Sequence, residues 1–117
     1  MITVTKIFTF DAAHKIPKHL GKCRFLHGHT YKLEVTVMRS AGDIDPNTGM
    51  VIDFGDLKEA VNPIVEMFDH SYINDILPVP TAENMLNWMA ERLTLSLPGL
   101  CNMKLWETPT SYAEWFP

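Results

Sequence analysis

No stretch of this 117-residue chain approaches the ~18 consecutive apolar residues of a membrane-spanning helix. There is no basic run either. Ten Lys and Arg stand against fourteen Asp and Glu, a formal charge of −4. Nucleic-acid binding needs clustered cations that displace counterions from phosphate, so that class is disfavoured. Cysteine is scarce: Cys23 and Cys101 allow at most one disulfide, and in a reducing compartment both are free thiols. The opening MITVTKIFTF alternates apolar and polar residues and lacks the charged start and unbroken apolar stretch of a signal peptide. A cytoplasmic protein is the default expectation. Nothing reads as a linker, a repeat or a low-complexity tract, and the length suits a single domain over 1–117.

The apolar pattern is that of a mixed fold. Residues 2–12 read as a strand with Phe8, Phe10 and Ala12 on one face, and the same parity reaches His14. Residues 15–25 form a loop containing Pro17 and Gly21. A second strand spans 28–39, with Tyr31, Leu33, Val35 and Val37 on its apolar face and the parity running back to His29 and His27. The turn-rich SAGDIDPNTGM follows. Leu57, Val61, Ile64 and Phe68 then recur at helical spacing, with Asp53 as a candidate cap. Pro63 removes one internal hydrogen bond and predicts a kink or two short helices. Thr81 is a good cap for a second helix to Leu95, ended by Pro98 and Gly99. Residues 100–107 and 110–116 read as two more strands. The order ββααββ predicts an α+β fold, a four-stranded antiparallel sheet with two helices. Its two open edges, which natural proteins rarely leave bare, and an interior rich in Met, Trp and Phe predict a sheet continued across subunits in a homo-oligomer.

The strongest chemical signal is FLHGHTY. Residues two apart on a strand point the same way, so His27 and His29 aim at one point, and Gly28 between them permits close approach. His14 ends the neighbouring strand on the matching parity. Three imidazoles converging there suit Zn2+, with a fourth position left for substrate or water. The competing reading is three ordinary polar strand residues. His19 and His70 do not fit the parity and are not expected to be ligands.

Other residues carry weaker signals. Cys23 sits four residues before His27, between Lys22 and Arg24, and positive neighbours favour a thiolate. It reads as a general base or nucleophile, as a fourth zinc ligand, or as an inert loop cysteine. Cys101 shares a strand face with Met103 and Leu105 and is expected in the core. Asp69 beside His70 can orient the imidazole and raise its basicity; the alternative is a plain helix end. Glu107 continues the face of Met103 and Leu105, so its carboxylate is expected to point inward. A buried carboxylate needs a partner. The paired N–H edge of an aminopyrimidinone would supply two parallel hydrogen bonds, and a structural salt bridge is the other possibility. Asp53 reads as a helix cap, and Glu83 falls in the first turn of the second helix, at the positive end of its dipole.

Together FDAAH, C-R-F-L-H-G-H, GMVIDFGDLK, FDH, PTAEN and W-E-T resemble, in order and spacing, the 6-pyruvoyl-tetrahydropterin synthase and 6-carboxytetrahydropterin synthase family over nearly the whole chain. Cys23 four before His27 is similar to the bacterial 6-carboxytetrahydropterin pattern, the branch of the queuosine (7-deazapurine) pathway. The resemblance implies a T-fold, with three sheets closing a twelve-stranded barrel and two trimers stacking into a homohexamer. It implies zinc on His14, His27 and His29, and Cys23 as the catalytic base. Asp69 and His70 become an assisting pair supplied by a neighbouring subunit. Glu107 becomes the pterin anchor, with further contacts from Thr81, Glu83 and Thr108. The implied activity is a lyase acting on 7,8-dihydroneopterin triphosphate to give 6-carboxy-5,6,7,8-tetrahydropterin, acetaldehyde and triphosphate. Lys15, Lys18, Lys22 and Arg24 would supply the positive field for the triphosphate. Rival expectations are a 6-pyruvoyl-tetrahydropterin synthase, which eliminates triphosphate without carbon–carbon cleavage, a non-catalytic zinc protein closed by Cys23, and a metal-free binding module.

Overall fold

Period-two alternation builds the first half of the molecule. The computed structural model describes Met1–Pro117, and in it Ile2–His14 (β1) and His27–Arg39 (β2) pair antiparallel throughout, from Ile2 opposite Arg39 to His14 opposite His27. Phe8, Phe10, Ala12 and His14 on β1, and Tyr31, Leu33, Val35 and Val37 on β2, are the buried set. The intervening loop folds one short 3-10 turn, Lys22–Arg24.

Asp53 caps the first helix, Phe54–Phe68 (α1), its Oδ1 accepting from the Gly55 N–H at 2.6 Å. Leu57, Val61, Ile64 and Phe68 form the buried stripe of α1. Pro63 does not split the segment into two short helices: α1 is one continuous helix of 15 residues. Pro63 and Glu59, whose carbonyl loses its partner, are both exposed, so water can satisfy that group. Thr81 caps the second helix, Ala82–Ser96 (α2), accepting from the Asn84 N–H at 3.1 Å.

After α2 the chain turns through Gly99, at φ +87, where a Cβ would stand 2.6 Å from the Met38 carbonyl oxygen. Two strands follow: β4 (Leu100–Thr108), which pairs with β2, and β5 (Ser111–Trp115), which pairs with β4. Cys101 departs from its expected core position. The register passes from Thr36 opposite Asn102 to Val37 opposite Leu100, so Cys101 is the extra residue of a β-bulge. Leu100 enters the core instead, and the half-buried Cys101 thiol, pushed up by burial, lies 3.5 Å from the Thr36 carbonyl oxygen.

The sheet has five strands rather than the expected four. Ser71–Tyr72 (β3) runs parallel to β1 at Ala12 and Ala13, giving a mixed sheet of order β3-β1-β2-β4-β5. A two-residue strand has no alternation to read; it exists because α1 ends beside the free edge of β1. Both helices cover one sheet face, and a cluster of 23 buried residues fills the space between them. Full burial of a residue such as Leu33 or Leu105 contributes about 1.5–3 kcal/mol. No helix is long and apolar enough to cross a membrane.

Candidate metal centre and active site

Strand parity carries three imidazoles to one end of the sheet. His14 closes β1, His27 opens β2 directly opposite it, and His29 lies two residues further on the same face. The ring centroids are 4.5, 4.9 and 5.1 Å apart, and one nitrogen from each ring lies within 4.8 Å of the others. His14 is 1% exposed. Its Nδ1–H donates to the Pro80 carbonyl at 2.8 Å, with the Tyr31 hydroxyl 3.3 Å from the same nitrogen. The His27 Nδ1–H donates to the Phe25 carbonyl at 2.8 Å. These bonds assign the tautomers and leave both Nε2 lone pairs bare, 2.9 Å apart. The His29 Nε2 is buried without any partner.

Unprotonated nitrogens facing one another repel unless a cation lies among them. The donor set therefore fits a metal ion, and carbonyl acceptors on the far nitrogens are the usual outer support of metal-binding imidazoles. Burial holds both His14 and His29 below the ordinary imidazole range, outweighing the attraction of Glu107. Cys23 is not one of the converging groups, so three protein ligands, not four, are available.

Cys23 lies in the Lys22–Arg24 turn, half-buried and free, as is Cys101. Its carbonyl accepts from the Ile16 N–H at 2.7 Å, which ties the turn back to the segment just after β1.

Asp69 and His70 are not brought to the imidazoles within one chain. They form a separate cluster with Asp11. The Asp11 side chain projects from the sheet face opposite His14, because the two residues differ by three along a strand. His70 Nδ1 lies 3.0 Å from Asp69 Oδ2. Hydrogen bonds hold the Asp69 carboxyl below the usual carboxylate range, the Asp11 N–H foremost and the His70 ring next. His70 lines a cleft of about 510 Å³ together with Gly28, His29 and Thr30.

Glu107, half-buried near the end of β4, has no ion-pair partner; the chain's one ion pair is Asp69–His70. Within the chain, no Lys or Arg forms the salt bridge that was the other possibility. Its charge bears on His14, His29 and the buried Tyr31, whose phenol is pushed up by burial first and by Glu107 second. A cleft of about 450 Å³ opens beside Glu107, lined also by Glu83, Ser111 and Tyr112. The Thr81 hydroxyl is committed to capping α2, and the Thr108 hydroxyl lies 3.4 Å from that of Thr110 in the β4–β5 turn. Sequence reasoning missed the Pro80 carbonyl, the Tyr31 hydroxyl, Asp11 and Thr30. The parity of Tyr31 with His29 was a usable signal; the other three depend on tertiary contact.

Bare imidazole nitrogens on a helix-backed sheet, beside an unpaired carboxylate and an open cleft, define an enzyme with a metal-type site. Residues 3–117 match the family model described as 6-pyruvoyl tetrahydropterin synthase. The chain is 40% identical over 124 positions to a 6-carboxy-5,6,7,8-tetrahydropterin synthase of Synechocystis, covering 99% of this chain and 94% of that one. It is 41% identical over 102 positions to the dihydroneopterin monophosphate aldolase of Pyrococcus furiosus, covering 85% and 83%. The solved 6-pyruvoyl tetrahydropterin synthase of Caenorhabditis elegans matches with a TM-score of 0.88 at 25% identity, covering 99% and 95%. The chain belongs to the 6-pyruvoyl tetrahydropterin synthase family, and its architecture is the T-fold.

Proposed function

We propose that this enzyme is a zinc-dependent lyase of queuosine biosynthesis. Its substrates would be 7,8-dihydroneopterin triphosphate and one water, and its products 6-carboxy-5,6,7,8-tetrahydropterin, acetaldehyde and triphosphate, the water supplying the carboxylate oxygen as the carbon–carbon bond breaks. The observation that carries the reading is an unpaired, half-buried carboxylate, Glu107, whose charge reaches two of three bare imidazoles. The name of the Synechocystis relative supports this product.

His14, His27 and His29 would hold the zinc through the nitrogens left bare by the Pro80 and Phe25 carbonyls and by burial. Bound there, zinc supplies Lewis acidity toward the hydroxyl oxygens of the substrate side chain. Glu107 accepts two hydrogen bonds from the pterin N–H edge and so fixes the ring. Cys23, as thiolate, takes and returns a proton at the side-chain carbon. His70, held by Asp69, is the second acid/base. Glu83 borders the cleft beside Glu107, and Thr81 and Thr108 would add further contacts. Because Asp69 and His70 cluster apart from the imidazoles in one chain, they serve the site of a neighbouring subunit. A homohexamer of two stacked trimers, each closing a twelve-stranded barrel, accommodates this.

Incubating the purified protein with 7,8-dihydroneopterin triphosphate and identifying the pterin tests the reading. The 6-carboxy product with acetaldehyde is expected. The 6-pyruvoyl product would move the protein to the other branch, and turnover restricted to dihydroneopterin monophosphate would favour the aldolase named for the Pyrococcus relative. No turnover of any pterin overturns the proposal and leaves a non-catalytic zinc protein.

A further inference from the structure

On the sheet face turned away from the helices, a hydrogen-bonded chain leads to His70. Asp11 stands opposite Thr30 in the β1–β2 ladder, and the Thr30 hydroxyl donates to Asp11 Oδ1 at 2.5 Å. The Asp11 main chain faces the end of α1. Its N–H donates to Asp69 Oδ1 at 3.0 Å, and its carbonyl accepts from the His70 N–H at 2.6 Å. Asp69 Oδ2 then holds His70 Nδ1 at 3.0 Å. Both Asp69 oxygens are engaged, so its carboxylate cannot turn.

His70 has a φ of 57, the one positive value among the non-glycine residues. A residue with a Cβ is rarely found there, and it persists where its surroundings over-determine it. Here the bond to the Asp11 carbonyl precedes the corner's exit, and Ser71 and Tyr72 are pinned to Ala12 and Ala13 beyond it. With Nδ1 committed to Asp69, the nitrogen presented outward is Nε2, on a side chain 80% exposed. The Asp11 carboxylate lies within 4.8 Å of both Asp69 and the His70 ring. The Thr30 hydroxyl holds that carboxylate and, with it, the Asp11 main chain that carries both bonds to the corner.

We propose that Asp11, anchored by Thr30, is a positioning residue for His70. It sets the strained corner through its main chain. Its side chain, tied to Thr30, keeps that main chain in place, so that Asp69 stays on Nδ1 and Nε2 faces the substrate. This rests on the reading in which His70 handles a proton in pterin turnover.

The test uses the zinc-loaded full-length protein and the variants Asp11→Ala, Asp11→Asn and Thr30→Val. Rates on 7,8-dihydroneopterin triphosphate, metal content and the ring 15N shifts of His70 are measured. Asp11→Ala and Thr30→Val are expected to lower kcat about 10- to 100-fold, with KM changed by less than about twofold and metal content unchanged. In both variants the His70 shifts move from a single Nδ1–H tautomer toward a mixture. Asp11→Asn keeps an oxygen for Thr30 and is expected to restore most of the rate and the single tautomer. Wild-type kcat and tautomer in Asp11→Ala would overturn the inference, as would an Asp11→Asn variant as impaired as Asp11→Ala. Should Asp11→Ala fail to fold, Thr30→Val removes the same bond and decides alone. If the wild type turns over no pterin, the reaction reading fails, while the tautomer measurement still judges the role of Asp11.

Discussion

His14 and His27 meet through their Nε2 atoms at 2.9 Å, although the second nitrogen of each ring is already spent on a carbonyl. That contact is tenable with a cation bound and repulsive without one. Replacing His27 with Ala removes a third of the ligand set. The variant is expected to emerge from purification with little metal, where the wild type carries about one ion per chain. Elemental analysis decides it, and undiminished metal content would sink the ligand assignment.

Cys23 lies outside the converging group. Cys23→Ala should therefore keep its metal and its thermal midpoint while losing at least ~10²-fold in kcat, the scale of a positioned proton-transfer group. A variant turning over at the wild-type rate would remove the base assignment.

Glu107 has no cationic partner to lose. Glu107→Gln replaces a two-oxygen acceptor with one oxygen and an NH2 that opposes a ligand N–H. A lost hydrogen bond to a charged group is worth about 1.5–3 kcal/mol, so KM should rise roughly 10- to 100-fold with metal retained. An unchanged KM would show that the carboxylate does not touch the substrate.

Acid should weaken the metal-free fold in a defined window. His14 and His29 bind protons near the ordinary value of 6.5 when unfolded, and only at lower pH when folded, because burial penalises the charged rings. Below 6.5 the unfolded state binds more protons, so the stability present above that pH is lost as pH falls toward the folded values. Asp69, with its lowered carboxyl, adds its own loss only below about pH 4. Thermal scans of metal-free protein are expected to be level from about pH 8 to 7 and to decline below about 6.5. A midpoint that climbs on acidification would contradict the burial argument.

Pro63 gives a test of stability alone. It interrupts the hydrogen bonding of an otherwise unbroken α1 on an exposed face. Pro63→Ala restores that bond, against a smaller cost from a freer unfolded chain, and should stabilise the protein by about 2 kcal/mol, several degrees in Tm. A lower Tm would mean that the ring makes contacts worth more than the bond.

How far the sequence could be read depended on periodicity. Phe8, Phe10 and Ala12, and Tyr31 through Val37, declared their strands and their buried face, and the same parity placed all three imidazoles. The caps Asp53 and Thr81 were readable because capping is local chemistry. Cys101 was misplaced because a bulge shifts the face without changing the local pattern. β3 was invisible because two residues show no period. The Asp69–His70 corner was readable as a pair, but its dependence on Asp11, 58 residues away from Asp69, was not. Its separation from the imidazoles was implied by the family resemblance alone, and follows from which side of β1 each touches.

The parallel pairing of Ser71–Tyr72 has a consequence for assembly. It covers β1 only at Ala12 and Ala13, so a strand added to that edge would be obstructed at the histidine end and left the earlier part of β1. β3 would thus act as a doorstop, limiting how far a strand added to this edge could slide toward the three imidazoles.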